Sequence, residues 1–161
     1  MRAVKRGRLA LGLAGALLLA ACGDDEPVAW DQRPVPPRDF PEERVELGRT
    51  LFQQHCATCH GAGAEGDPNW RYRDEQGMFP PPPLNGTAHA WHHPWSELRD
   101  IIQHGSRPGE GRMPAWNDVL SEEEIDSIIM WFITLWPDEV YAAWHEIDQR
   151  ARARGETGRR H

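Results

Sequence analysis

Apolar residues recur at helical spacing in several separate stretches of this chain, and the first begins near residue 41. Pro41 suits the first position of a helix, and the two glutamates that follow it favour the positive end of the helix dipole. We predict a helix from Pro41 to about His55, with an apolar face formed by Val45, Gly48, Leu51 and Phe52. Because an interior glycine costs about 1 kcal/mol relative to alanine, another element is expected to approach this helix closely at Gly48.

A second strong helix is predicted nearer the C-terminus. Ser121 and Glu124 have the spacing of a capping box, and Pro137 ends the helical pattern. Between them, apolar residues follow the helical period at Ile125, Ile128, Ile129, Phe132, Leu135 and Trp136. Trp131 and Ile133 lie off this stripe, so the helix is expected either to be buried on two sides or to meet a partner protein.

Two further amphipathic segments complete the helical pattern. Residues 95–104 predict a short helix that ends at Gly105 and turns three apolar residues inward, Leu98, Ile101 and Ile102. Residues 138–154 predict a helical extension, and the last residues up to 161 are expected to be disordered. No segment alternates convincingly enough to be a strand. The sequence therefore predicts an all-α fold of three to five short helices plus this extension.

The N-terminus has a different character, because a basic start precedes an uncharged apolar run from Leu9 to Ala21. This layout is that of a signal peptide, and the run is too short for a confident membrane span. The sequence Leu19-Ala20-Ala21-Cys22 resembles the bacterial lipobox, in which the chain is cut before a cysteine that carries lipid. We therefore expect lipid on Cys22 to anchor the chain to a bacterial membrane, on the periplasmic or extracytoplasmic side. The alternatives are an ordinary cleaved signal with an unrelated cysteine, or an uncleaved anchor.

These features divide the chain into four parts. Residues 1–21 are predicted to be a lipoprotein signal peptide. Residues 22–40 are polar and rich in proline, which is typical of a flexible tether between the lipid and the folded domain. Residues 41–137 are predicted to form that domain, and residues 138–161 the helical extension with its disordered tail.

The chemistry-bearing motif is Cys56-Ala57-Thr58-Cys59-His60, which has the attachment pattern of c-type haem. One turn of backbone separates the two thiols, which would bond the vinyl groups of a porphyrin edge, and His60 would be the proximal iron ligand. A thioredoxin-like redox pair would need a βαβ context, and a structural zinc site would need a second pair of ligands. The sequence supports neither, so we predict one covalent haem c held through Cys56 and Cys59.

Charge and cysteine usage narrow the function classes. The 161 residues include 18 Lys and Arg against 25 Asp and Glu, a formal net charge of −7, and the charges of the predicted signal peptide are all basic. Such acidity argues against a nucleic-acid partner and favours a solvated domain that meets a basic face on its redox partner. With all three cysteines assigned to lipid or haem, no disulfide is predicted.

A second axial ligand is expected downstream of the motif, and Met113, in the sequence Gly-Arg-Met-Pro-Ala-Trp of residues 111–116, is the leading candidate. Met78 precedes a proline run that is expected to reach another edge of the ring, and Met130 lies inside a predicted helix. The remaining candidates are the histidines His89, His92, His93 and His104. The first three of these also have helical-like spacing, so they could hold copper or zinc or could simply belong to a polar loop.

From residue 41 to 137 the chain resembles the class I (mitochondrial-type) monohaem cytochromes c, in a bacterial lipoprotein form. Four parts stand in the family's order: a first helix with Gly48 and an aromatic residue, the cysteine and histidine motif, the Met113 loop, and a last helix carrying Trp131. The resemblance implies a cytochrome c fold, with short helices wrapped around one covalent haem c. It also implies that His60 and Met113 are the axial ligands.

Residues 81–86, Pro-Pro-Pro-Leu-Asn-Gly, resemble the family's Gly-Pro-x-Leu-x-Gly stretch. The resemblance implies that the Pro82 carbonyl accepts the proton on the outer nitrogen of the proximal histidine, which fixes the orientation of the ring. Pro81 stands where the family has glycine. The alternative is that the run is a stiff polyproline spacer.

The ligands that the resemblance implies, together with the predicted lipid anchor, indicate a membrane-tethered carrier of single electrons without catalytic residues, because iron with histidine and methionine ligands has no vacant position. One alternative is a fixed cytochrome subunit of a larger respiratory or dehydrogenase complex, docked through Trp131, Ile133 and the helix of residues 138–154. Another is a haem-based peroxidase or gas sensor, in which Met113 is not a firm ligand. The sequence contains no motif that identifies the electron donor or acceptor.

Overall fold

A computed structural model of the protein describes residues 34–155, and within this range the chain folds into helices and loops without strands. The all-α prediction is confirmed. The α-helices are α1 (Glu42–His55), α2 (Ala57–His60), α3 (Trp95–His104), α4 (Glu122–Thr134) and α5 (Asp138–Ala153), and a 3-10 turn spans Ala90–His92. The predicted signal peptide, Cys22, most of the predicted tether and the last six residues lie outside the described residues. Among residues 34–155, no helix combines the length and apolarity needed to cross a bilayer.

Helices α1 and α4 cross in close contact at the centre of the fold. A Cβ added to Gly48 would lie only 1.8 Å from the Ser127 carbonyl oxygen, so only glycine permits this approach. The predicted close contact at Gly48 is therefore confirmed. One turn further along α1, the fully buried Phe52 ring packs against Trp131 with 4.4 Å between ring centroids.

Helix α4 is buried on two sides by the chain itself. It begins with the predicted capping box. The Ser121 hydroxyl accepts a hydrogen bond from the Glu124 backbone N–H, and the Glu124 carboxylate accepts one from the Ser121 backbone N–H. Trp131 is 7% exposed and Ile133 is 0% exposed. The hypothesis that these two residues dock a partner protein is therefore wrong, because both side chains are already covered within the described chain.

Helix α5 is part of the same core through a group of large aromatic residues. Trp144 on α5 is 3% exposed and lies 5.6 Å from Trp136 and 6.3 Å from Trp95 between ring centroids. Its indole nitrogen donates to the His93 carbonyl at 3.0 Å. Tyr141 on the same helix is equally buried. The apolar face of α5 is thus used internally, which corrects the expectation that the extension offers it to a partner.

Residues 37–40 lie against this C-terminal part of the fold. The Arg38 guanidinium donates to the Asp138 carboxylate and to the Trp136 carbonyl, each at 2.8 Å, and it stacks 4.4 Å from the centre of the Tyr141 ring. The Tyr141 hydroxyl in turn donates to the Pro37 carbonyl at 3.1 Å. The end of the predicted tether that the structure describes is therefore in contact with the folded domain.

The start of α3 is capped by a residue from a distant helix. Pro94 precedes α3 and has no side chain that could accept a backbone N–H. The carboxylate of Asp148 on α5 supplies the acceptor, because it receives the Trp95 N–H at 2.9 Å and the Arg152 Nε–H at 2.5 Å. Asp148 is only 3% exposed, yet it has two partners, so its burial is compensated.

We predict that Asp148→Ala destabilises the fold by about 1–3 kcal/mol, because it leaves the half-buried N–H of Trp95 at the start of α3 without an acceptor. Asp148→Asn should recover part of this loss, since an amide oxygen can still accept from Trp95. Chemical denaturation of the haem-loaded protein measures the difference. Arg152→Ala is the control for the ion pair alone, and an effect as large as that of Asp148→Ala would contradict the capping role.

Candidate haem-binding site

The Cys-x-x-Cys-His motif lies directly after α1 and forms the short helix α2. The Cys56 N–H still bonds back to the Phe52 carbonyl at 2.8 Å, and the His60 N–H bonds to the Cys56 carbonyl at 2.9 Å. The two cysteines are therefore held on one helical turn, with Cys59 exposed and Cys56 half-buried. Burial, and to a lesser extent the neighbouring charge of Cys59, raises the pKa of the Cys56 thiol to about 11.

His60 is buried and points one ring nitrogen at the proline run. Its Nδ1 lies 2.9 Å from the Pro82 carbonyl oxygen. A carbonyl can only accept, so Nδ1 carries the hydrogen and Nε2 keeps its lone pair in the neutral ring. Burial lowers the pKa of His60, although the bond to Pro82 opposes that effect. The ring therefore has the protonation state and the orientation that a metal ligand requires.

The Pro82 carbonyl is held in place by the loop that follows α2. The Asp67 N–H donates to the Pro81 carbonyl, and the Leu84 N–H donates to the Ala64 carbonyl, both at 2.8 Å. The Leu84 carbonyl accepts a hydrogen bond from the Trp136 indole N–H at 2.7 Å, which connects the proline run to the end of α4. Pro81, which stands where the family has glycine, does not prevent any of these contacts.

Met113 lies on a loop whose backbone is attached to the end of α3. Its N–H donates to the Ser106 hydroxyl at 3.1 Å, and its carbonyl accepts the Ser106 N–H at 3.0 Å. Gly105 has a φ of +80°, and a Cβ there would lie 2.5 Å from the Met113 carbonyl oxygen. The Met113 side chain is half-buried and packs against the hydrophobic core. Sequence analysis identified Gly105 only as the end of a helix and missed Ser106, because nothing in the local sequence relates either residue to Met113.

Met78 and Met130 lie in different environments from Met113. Met78 lies on a loop that is closed by Asp74, whose N–H donates to the Met78 carbonyl at 2.8 Å and whose carboxylate accepts the Met78 N–H at 3.0 Å. Met130 is half-buried on α4 and lines a cavity together with Phe40 and Trp95, two residues of the aromatic group around α5.

The histidines downstream of the motif have different partners, although the rings of His89 and His93 lie 5.7 Å apart between centroids. The ring of His89 stacks on Trp70, the ring of His92 packs on Trp91, and His93 Nδ1 lies 3.1 Å from the Glu97 carboxylate. His104 bonds within its own helix. Among residues 34–155, no group of three or more His, Cys, Asp or Glu side chains is arranged to hold a metal ion. The structure thus gives no support to a second metal at these histidines.

The residues of the motif and of the Met113 loop fit haem c as a set. They provide two thiols on one turn, a buried neutral imidazole with Nε2 available, and a thioether on a loop that is fixed by its own backbone. A helical fold with this donor set defines a class I c-type cytochrome.

Comparison with known sequences agrees with this class. The sequence model of the family described as cytochrome C oxidase, cbb3-type, subunit III matches residues 43–132, and the chain belongs to this family. Cytochrome c6 of Bryopsis maxima is 31% identical over 85 residues, which cover 53% of this chain and 84% of that protein. The cbb3-type cytochrome c oxidase subunit FixP of Sinorhizobium medicae is 32% identical over 97 residues, which cover 56% of this chain and 30% of FixP.

Solved structures include a similar chain at lower sequence identity. The crystal structure of cytochrome cL from the marine methylotrophic bacterium Methylophaga aminisulfidivorans superimposes with a TM-score of 0.48 and 22% identity, covering 71% of this chain and 67% of that one. Of the sequence relatives, the chain matches most of the length of cytochrome c6 but less than a third of the length of FixP. The protein is therefore a c-type cytochrome, in the class of electron-transfer proteins.

We predict that Gly105→Ala displaces the Met113 loop, because the new Cβ would collide with the Met113 carbonyl. Gly155→Ala is the control for a positive-φ glycine outside this loop. Gly155 has a φ of +66° and no atom within 4 Å of an added Cβ, so the substitution strains the backbone without a collision. The measurement is the weak red absorption band of a methionine–ferric iron bond in the haem-loaded variants. Equal loss of that band in both variants would contradict the predicted collision.

Proposed function

We propose that this protein is a membrane-tethered monohaem cytochrome c that carries single electrons through iron ligated by His60 and Met113. The observation that carries the proposal is the buried His60 ring, whose Nδ1–H donates to the Pro82 carbonyl and leaves Nε2 free. A histidine that only filled the core would not need this orientation, next to two cysteines on the same turn. In this proposal Cys56 and Cys59 hold one haem c covalently.

The chemistry follows from the ligands. Bound haem supplies an iron that gains and loses one electron. Two protein ligands leave no open position for peroxide or gases, and a methionine stabilises the reduced iron relative to a second histidine. The chain's own contribution is to hold His60 through Pro82, to hold the Met113 backbone through Ser106, and to keep water away from the histidine by burial. Such a site supports electron transfer at a relatively high reduction potential, towards the oxidising end of an electron-transport chain.

A fixed subunit of a larger respiratory complex is the second candidate function. The observation that favours it is the family match, together with relatives that are named as subunits of a cbb3-type cytochrome c oxidase. Because the chain covers only 30% of FixP, the assembly of that relative is not transferred to this protein as a whole. Stable co-purification with an oxidase or dehydrogenase would favour the subunit over the mobile carrier.

The proposed location rests on the sequence of the N-terminus. Residues 1–21 would direct export, Cys22 would carry lipid, and residues 22–40 would connect it to the haem domain of residues 41–137. Several acyl chains on one residue would give a stable anchor, since each buried methylene contributes about 0.8 kcal/mol. The protein would then act at the extracytoplasmic face of a bacterial membrane.

We predict a low-spin spectrum for the haem-loaded protein, with a weak red band in the ferric state that is lost in Met113→Ala. CO should leave the spectrum of the native reduced protein unchanged and should bind readily to Met113→Ala, because only the variant has an open position. Met130→Ala is the control for loss of a half-buried methionine and should keep the band. Ready CO binding by the native protein would overturn the carrier proposal and favour a peroxidase or a gas sensor.

We also predict that Cys22→Ser moves the protein from the membrane fraction to the soluble fraction of a bacterial host, because it removes the proposed site of lipid attachment. Detergent phase partitioning and the mass of the mature N-terminus measure this directly. Val28→Ala, in the same predicted tether, should leave the protein in the membrane fraction. A Cys22→Ser protein that is still extracted only by detergent would contradict the lipid anchor.

A further inference from the structure

The loop that carries Met113 is attached to a second, separate loop. Arg112 directly precedes Met113 in the sequence, and its guanidinium reaches across to residues 73–79. One of its nitrogens lies 2.5 Å from Asp74 Oδ2, and another donates to Gln76 Oε1 at 3.0 Å. These contacts join segments that are 36 or more residues apart, and they end on the residue next to the proposed iron ligand.

Two further contacts hold the same pair of loops together. The Arg73 guanidinium donates to the Gly109 carbonyl at 2.6 Å and to the Gly77 carbonyl at 2.5 Å, while lying 4.2 Å from the centre of the Phe79 ring. The Phe79 N–H donates to the Glu110 carbonyl at 3.1 Å. Residues 107–110 are otherwise exposed, so the loop of residues 73–79 is their main support.

The two carboxylate oxygens of Asp74 have different partners. Oδ1 accepts the N–H groups of Gln76 and Met78, both at 3.0 Å, and so shapes the loop of residues 73–79. Oδ2 faces Arg112. The Arg112 guanidinium, assisted by the backbone of Met78 and Gln76, holds the pKa of Asp74 below its usual range. This division allows the ion pair to be removed while the shape of the loop is kept.

We propose that Asp74, acting through Arg112, is a positioning residue that keeps Met113 on the haem iron. This inference rests on the proposed ligation by Met113. Movement of its loop would make it easier for the thioether to leave the iron, and that loop is attached at Ser106, at Gly109 and at Arg112. Each attachment lowers the conformational freedom that the loop gains on release, so loss of one should favour release.

The test measures how readily an external ligand replaces Met113. Ferric haem-loaded protein is titrated with imidazole, and loss of the methionine–iron band is followed. Asp74→Asn keeps an Oδ1 that can accept from Gln76 and Met78 but removes the charge that faces Arg112. We expect imidazole to bind roughly 1.5- to 5-fold more tightly to Asp74→Asn, the range set by an exposed ion pair. The reduction potential should fall in parallel at subsaturating imidazole, because the ferric form binds the nitrogen ligand.

Coupling between the two residues separates the ion pair from a general effect of charge. Arg112→Gln should tighten imidazole binding at least as much as Asp74→Asn does, because it also removes the contact with Gln76. The double variant should bind imidazole no more tightly than Arg112→Gln alone. The matched control is Glu46→Gln, because Glu46 and Arg49 form an exposed ion pair of the same length on α1, away from both loops. It changes the net charge by the same amount and should leave imidazole binding unchanged.

The outcomes distinguish this inference from the proposed function. If the native protein shows the methionine band but Asp74→Asn and Arg112→Gln bind imidazole as the native protein does, the positioning role is wrong and the ligation stands. An equal shift in Glu46→Gln, or additive effects in the double variant, would also overturn the positioning role. If the native protein lacks the band, the ligation by Met113 itself is wrong. Thermal unfolding of all variants shows whether a shift in binding reflects loss of the fold, which would likewise count against a local role.

Discussion

The close contact between α1 and α4 at Gly48 is the constraint on which the rest of the structure depends. Because no side chain separates α1 from the Ser127 carbonyl, the two helices fit together in one arrangement and Phe52 can reach Trp131. Helix α1 runs directly into Cys56, so its position also determines where the two thiols and His60 lie. The site is thereby attached to the closely packed helix pair at the centre of the fold.

The rest of the site is built from loops that take their shape from backbone hydrogen bonds to these helices and to each other. The Pro82 carbonyl depends on the loop after α2 and on the Trp136 indole at the end of α4. The Met113 loop depends on Ser106 at the end of α3. Long loops are poorly defined in isolation, but each of these is held at more than one point, so hydrogen bonds fix the Pro82 carbonyl and the Met113 backbone in place.

Local signals in the sequence predicted the helices well and the long-range contacts poorly. The capping box at Ser121 and the stop at Gly105 were correct because each is decided within one helical turn. The cap on α3 was missed because Asp148 lies 53 residues from Trp95. The partner surface at Trp131 and Ile133 was wrong, since apolar periodicity reports that a face is buried but not what buries it. The haem ligands themselves were predicted from motif and family resemblance, while Ser106 and the Asp74–Arg112 pair carry no motif.

The docking of Arg38 against α5 has a consequence for how far the protein could search for its partners. If lipid on Cys22 anchors the chain as proposed, the segment between Cys22 and Arg38 would span at most roughly 55 Å even when fully extended. The free length of the tether therefore ends at Arg38, where the chain contacts the folded domain, and not at the first helix. Encounters with a donor or acceptor would be confined to a thin layer beside the membrane, in which a partner's height above the bilayer matters as much as its affinity.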